Sequence, residues 1–288
     1  MKMTARAASR FSAASAAVLL ALGLAGCVTT ETVSNNGALP AGGSSSDREV
    51  SAVTSQVSPA EEKRRRARIR LELSAGHYQQ GNLPLALQEI EQALKIDPDY
   101  AAGHGMAALV YAAMNDRAKA DESFRKGLRL APRDAELNNN YGWYLCQTGR
   151  QAEAIPHFDV AAEDRTYPTP AKPMHNAGIC LLQIGDDGAA ENYLLRSFKL
   201  DPANAVAMYN LSELYLKRGN HERARFYSDR LLATYQPTAE TLWLAIRVAR
   251  LGNDENTAQR LTQQLNTRFP QSPQAARLNR PHGHDGAQ

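Results

Sequence analysis

Small and apolar residues recur along this chain on a step of 34 residues. Pro98, Pro132, Pro202 and Pro270 lie 34, 70 and 68 residues apart, and these are one step, two steps with two residues inserted, and two steps. A period of this length is that of a helix–turn–helix unit stacked into a solenoid. With the closing proline set as position 32, six units begin at Ala67, Ala101, Ala135, Ala171, Ala205 and Ala239. Position 20 is then Ala86, Ala120, Ala154, Ala190, Ala224 and Ala258, where a methyl group lets the second helix lie close against the first. Position 8 is small in five of six units: Ser74, Ala108, Gly142, Gly178 and Ser212, with Ile246 in the last. Position 24 is Ile90, Phe124, Phe158 and Leu194, then Ser228 and Thr262, so the last two units are degenerate there. The turn between the helices carries Gly81, Asn115, Gly149, Gly185, Gly219 and Asn253, which tolerate left-handed backbone at a helix end. The pattern predicts an all-α solenoid whose units pack mainly on their neighbours.

Over roughly residues 67–270 these positions resemble the tetratricopeptide repeat family. The resemblance implies a superhelix of six helix-turn-helix repeats that presents a surface. The two inserted residues fall in Thr166-Tyr167-Pro168-Thr169-Pro170, where prolines break helix, so a longer loop that offsets the two halves is expected. In that family positions 2, 5, 9, 12 and 13 of each first helix face the concave side. They correspond to Arg68, Leu71, Ala75, Tyr78 and Gln79 in unit one and to Ala102, Gly105, Leu109, Ala112 and Ala113 in unit two. Unit three adds Asn139, Trp143 and Gln147, and unit six has Glu240, Trp243, Arg247 and Arg250. The expected groove takes an apolar segment of a partner at its first end and makes polar contacts at its last. Leu71, Tyr78 and Leu109 have a second reading, as core contacts between repeats.

The N-terminus speaks to location. Lys2, Arg6 and Arg10 precede a small and apolar run from Phe11 to Ala25, too short for a spanning helix and built like an export signal. It ends in Leu24-Ala25-Gly26-Cys27, which resembles a bacterial lipobox, and the resemblance implies acylation of Cys27 and cleavage before it. Val28 stands where an aspartate would favour inner-membrane retention, which implies an outer-membrane protein facing the periplasm. Residues 27–60, rich in Ser, Thr, Gly, Ala and Val, read as a lipidated flexible tether after a signal peptide over 1–26. The repeat domain is placed at 61–270 and a disordered tail at 271–288.

Charge and chemistry narrow the function. Removing Lys2, Arg6 and Arg10 with the signal leaves 30 basic residues against 30 acidic ones, which argues against a general nucleic-acid binder. A local excess remains in Lys63-Arg64-Arg65-Arg66-Ala67-Arg68-Ile69-Arg70. It is either a solvated helix face or a contact for anionic head groups or an acidic partner. His221-Glu222-Arg223-Ala224-Arg225 opens like a zinc-protease motif but has Arg225 where the second histidine would stand. Gly103-His104-Gly105 is half a dinucleotide fingerprint without a preceding strand. His282 and His284 sit in a polar tail. No cofactor, metal, small-molecule substrate or catalytic residue is expected. Cys146 and Cys180 lie 34 residues apart in the first helices of units three and four, so an oxidising compartment would favour a disulfide. Their unit positions differ, 12 against 10, which leaves two buried thiols as the other reading.

The stretch Asn138-Asn139-Asn140-Tyr141-Gly142-Trp143-Tyr144-Leu145-Cys146-Gln147-Thr148-Gly149-Arg150 resembles the type IV pilus biogenesis lipoproteins of the PilF/PilW family. Met174-His175-Asn176-Ala177-Gly178-Ile179-Cys180, the lipobox and the six units extend the resemblance over most of the mature chain. It implies a pilotin that escorts or stabilises the secretin, the outer-membrane pore of the pilus, by holding it in the groove. A second reading is a periplasmic tetratricopeptide adaptor in other envelope assembly, such as outer-membrane barrel insertion or cell-wall synthesis.

Overall fold

The computed structural model describes residues 58–278. The expected signal peptide, the lipid site Cys27 and nearly all of the tether lie outside the described residues, as does the tail beyond Leu278. Every regular element described is an α-helix, and the helices come in pairs. Unit one is α1 (Pro59–Gln79) and α2 (Leu83–Ile96), and unit two is α3 (Ala101–Ala113) and α4 (Arg117–Leu130). Unit three is α5 (Ala135–Gln147) and α6 (Gln151–Glu163), and unit four is α7 (Ala171–Gln183) and α8 (Asp187–Leu200). Unit five is α9 (Ala205–Lys217) and α10 (His221–Thr234), and unit six is α11 (Ala239–Leu251) and α12 (Glu255–Arg268). A short α13 (Pro273–Leu278) follows.

The same turn closes every pair. Gly81, Asn115, Gly149, Gly185, Gly219 and Asn253 all have positive φ, between 56° and 86°, which swings the chain out of the first helix. The next residue starts the second helix. Asn82, Asp116, Asp186, Asn220 and Asp254 each cap it by accepting a backbone N–H three residues on. Such a cap stabilises a helix by about 1 kcal/mol. Arg150, at the start of α6, makes no such bond and instead grips Glu153 at 2.6 Å and Asp121 at 2.7 Å.

Close approach within a pair rests on the alanines of position 20, all buried, facing the small residues of position 8. Units three and four show why position 8 is glycine there. A Cβ on Gly142 would come within 2.9 Å of the Phe158 ring, and one on Gly178 within 2.6 Å of Leu194 Cγ. The bulky residue of position 24 fills the space that glycine leaves.

Each second helix packs on the first helix of the next unit, and successive first helices touch one another. Successive second helices do not approach at the backbone and meet only through long side chains: the Tyr193 hydroxyl of α8 donates to Asp159 of α6 at 2.9 Å, and the Phe198 ring of α8 packs edge-on against Tyr227 of α10. They therefore splay on the outer side, and the first helices line the inner, concave side.

Neighbouring units are locked by more than apolar contact. Asn176 Nδ2 donates to Asn139 Oδ1 at 3.0 Å in the buried seam between α5 and α7. In the same seam Cys146 and Cys180 form a disulfide, with Cα atoms 5.7 Å apart. Burial pushes the Asp121 carboxyl up, but hydrogen bonds from Arg150 and the Tyr141 hydroxyl outweigh it and hold the group below the usual carboxylate range.

The loop after α6 is longer, as expected, with seven residues (164–170) against four after α2, α4 and α8. The loop between α6 and α7 does not interrupt the stack, because Tyr167 turns inward onto Ala135 and Ala161 and its hydroxyl donates to Glu136 at 2.7 Å. Burial, with Glu136 beside it, raises that phenol to about 12. The region after Gln271, expected to be disordered from its start, first forms α13, which packs on α11 and α12. Ser272 caps it, Pro273 opens it, and Ala275 is fully buried in the core of unit six.

Candidate functional site

The inner face is read along position 9, which the stacking of first helices brings into one row. The row runs Ala75, Leu109, Trp143, Ile179, Glu213 and Arg247, all half-buried. From unit one to unit four it is apolar, and Met106, one turn before Leu109 on α3, widens it. In units five and six it ends in an ion pair, with Arg247 Nη1 2.7 Å from Glu213 Oε1. Glu213 also accepts from the Tyr209 hydroxyl at 3.4 Å. The polar end of the row is thus largely self-satisfied, while the apolar end has no such internal partner for what it exposes.

The structure sorts the predicted groove residues into two groups. Leu109 and Trp143 lie on the inner row, although their flanks also pack against the core cluster of units two to four. Gly105 and Asn139 do not reach the open face. Both are buried; a Cβ on Gly105 would lie 2.8 Å from Leu137, and Asn139 is spent on Asn176. Leu71 and Tyr78 are half-buried against the cluster that joins α1 to α3, which fits their second reading as core contacts. The disulfide residues Cys146 and Cys180 are also interior. Ile179 and Met106 were missed. Ile179 occupies the register position of Leu109 and Trp143, so the repeat itself marks it.

Beside the inserted loop a cleft of about 620 Å³ is lined by Pro168, Pro170, Lys172, His175, Asp201 and Asn204. Asn204 Nδ2 lies 3.0 Å from His175 Nδ1. Burial holds the His175 imidazole below its ordinary pKa, and the Asn204 bond only partly offsets that. His104 and His157 are pushed down by burial in the same way. Among the described residues no three His, Cys, Asp or Glu side chains gather as metal ligands, and no helix is long and apolar enough to cross a membrane.

The tetratricopeptide repeat family matches residues 106–169, 171–204 and 193–226. The type IV pilus assembly protein PilF of Pseudomonas aeruginosa is 31% identical over 202 residues, which is 70% of this chain and 80% of that protein. The chain belongs to the PilF/PilW family of tetratricopeptide repeat proteins. Solved structures agree over nearly the full length of these relatives. That of PilW, a type IV pilus biogenesis factor, is 33% identical and superposes with a TM-score of 0.67, covering 74% of this chain and 97% of that one. That of Pseudomonas aeruginosa PilF is 28% identical with a TM-score of 0.68, covering 75% and 98%.

Proposed function

We propose that this chain is a type IV pilus biogenesis protein acting as pilotin for the pilus secretin. In this reading it is an outer-membrane lipoprotein, anchored through Cys27 and facing the periplasm. The observation that carries the reading is the relation to PilF over 80% of that protein's length, together with an inner row that remains apolar from Ala75 to Ile179. A solenoid groove of this kind takes a segment of a partner by apolar contact and main-chain hydrogen bonding. Two or more acyl chains hold a membrane far more firmly than one, so the lipobox cysteine would supply delivery and the groove would supply cargo. The Cys146–Cys180 bridge suits an oxidising compartment.

Deleting the gene tests this reading. Heat-resistant secretin multimers should vanish from outer-membrane fractions or appear in the inner membrane. Multimers normal in amount and place would count against a pilotin and turn attention to another envelope-assembly adaptor. Cys27→Ala should leave a folded but unanchored protein, and its persistence in the outer-membrane fraction would contradict the anchor.

A further inference from the structure

Positions 3 and 7 of the first helix are both buried in units two to five, as Gly103 and Ala107, Leu137 and Tyr141, Pro173 and Ala177, and Ala207 and Leu211. In unit six position 7, Ala245, is buried while position 3, Thr241, is half-buried. The second helix of the preceding unit covers each pair. In unit one the same positions are Ile69 and Leu73, which are 51% and 48% exposed. Leu85 of α2 is 41% exposed. It lies one turn before Glu89, which pairs with Arg70 of α1 at 2.8 Å, so it borders the same end of the stack.

The surroundings of this face differ from those of its buried counterparts. Position 4, next to the pair, is His104, Asn138, Met174 and Met208 in units two to five, all buried and none an arginine or lysine. In unit one it is Arg70. Arg65 and Arg66 stand one turn before Ile69; Arg65 pairs with Glu62 at 2.6 Å on the exposed helix surface, and Arg66 makes no ion pair among the described residues. From Pro59 to Arg70 there are six basic side chains against two acidic ones. An apolar centre beside this surplus of basic side chains does not match the apolar back of a second helix. It matches a layer that is anionic at its surface and apolar just beneath. α1 also runs 21 residues against 13 for α3, and its start at Ser58 is where the chain leaves the described residues toward the tether.

We propose that this end of the solenoid docks on the anionic headgroup surface of a membrane, with Ile69, Leu73 and Leu85 entering the interface and Arg65, Arg66 and Arg70 meeting phosphates. The surface is distinct from the inner row, and the inference stands whether or not the chain is a pilotin. If Cys27 is acylated, the tether keeps the face near the bilayer and raises its effective concentration there.

Vesicle flotation tests the docking. The chain from residue 28 onward is suitable, because every core cluster is built from residues between Leu71 and Leu278. It should float with vesicles of phosphatidylcholine and phosphatidylglycerol in equal parts, not with phosphatidylcholine alone, and less as salt rises. Ile69→Glu with Leu73→Glu should lower the partition on the order of tenfold or more, and Arg65→Gln with Arg66→Gln roughly tenfold. Both pairs are exposed, so melting temperatures should stay near that of the parent. Absence of flotation with the anionic vesicles, or flotation that neither pair weakens, would overturn the proposal. So would a dimer in sedimentation that Ile69→Glu with Leu73→Glu disperses while vesicles stay unbound, which would assign the face to a second copy.

Discussion

Unit four and unit six close the same helix-on-helix contact with their volumes exchanged. In unit four the first helix contributes Gly178 and the second contributes Leu194, which fills the gap. In unit six the first helix contributes the fully buried Ile246, and the second contributes only Thr262. The large residue has crossed the interface. Unit five uses two buried serines, which satisfy their hydroxyls on the Ala224 carbonyl at 2.9 Å and the Arg225 carbonyl at 3.1 Å. The repeat therefore keeps filled space at this contact rather than residue identity, although in unit one the buried Ser74 hydroxyl finds no hydrogen-bond partner among the described residues. The inner row divides along a similar line, apolar up to Ile179 and ion-paired from Glu213 to Arg247. The two ends of the molecule share a scaffold and differ in what they offer a partner.

Swapped volumes give the largest expected effects. Leu194→Ala and Ile246→Ala should each cost about 2–5 kcal/mol in urea unfolding, since each opens a cavity in a closed contact. Thr262→Ala should cost under about 1 kcal/mol. A cost for Thr262→Ala equal to that of Leu194→Ala would break the exchange argument. The disulfide comes next. Reduction, or Cys146→Ser with Cys180→Ser, should lower stability by about 2–4 kcal/mol, read from unfolding midpoints with and without reductant. An unchanged midpoint would mean that the seam is held by Asn139, Asn176 and apolar contact alone.

Acid should loosen units two to four. His104, His157 and His175 are held below the ordinary histidine pKa by burial, so the unfolded chain takes up protons first as pH falls. Their contribution is complete above the ordinary value and is lost as pH drops through it toward the folded values. Melting temperature should decline from about pH 8 to about pH 5, and His175→Gln should flatten the slope. A flat profile would contradict the burial argument. The smallest effect is expected at the inner-row ion pair. Both its partners are about one-third exposed, so a cycle of Arg247→Ala and Glu213→Ala should give a coupling of no more than about 1 kcal/mol.

Much of this architecture is written in the spacing of residues. The six alanines of position 20 are buried as the register requires, and the six turn residues all take positive φ. These are local demands, and a period exposes them. What the period hides depends on the rotation between units. Positions 12 and 10 look misaligned on a single unit, yet that rotation pairs Cys146 with Cys180. The same two positions hold Tyr78 with Val110 in one core cluster and Leu216 with Val248 in another. It also turns Gly105 and Asn139 into the seam and leaves position 9 as the inner row. α13 was illegible because it is only six residues long and only Ala275 is buried, too short for an apolar periodicity to announce it.

The most direct test of the account is to complement the gene deletion with inner-row variants and assay secretin multimers in outer-membrane fractions. Leu109→Glu and Ile179→Glu, confirmed by circular dichroism and melting to fold like the parent, should fail to restore multimers. Arg247→Glu should restore them, because its end of the row is not the apolar seat. Full rescue by Leu109→Glu and Ile179→Glu would contradict the claim that the apolar half of the inner face holds the partner.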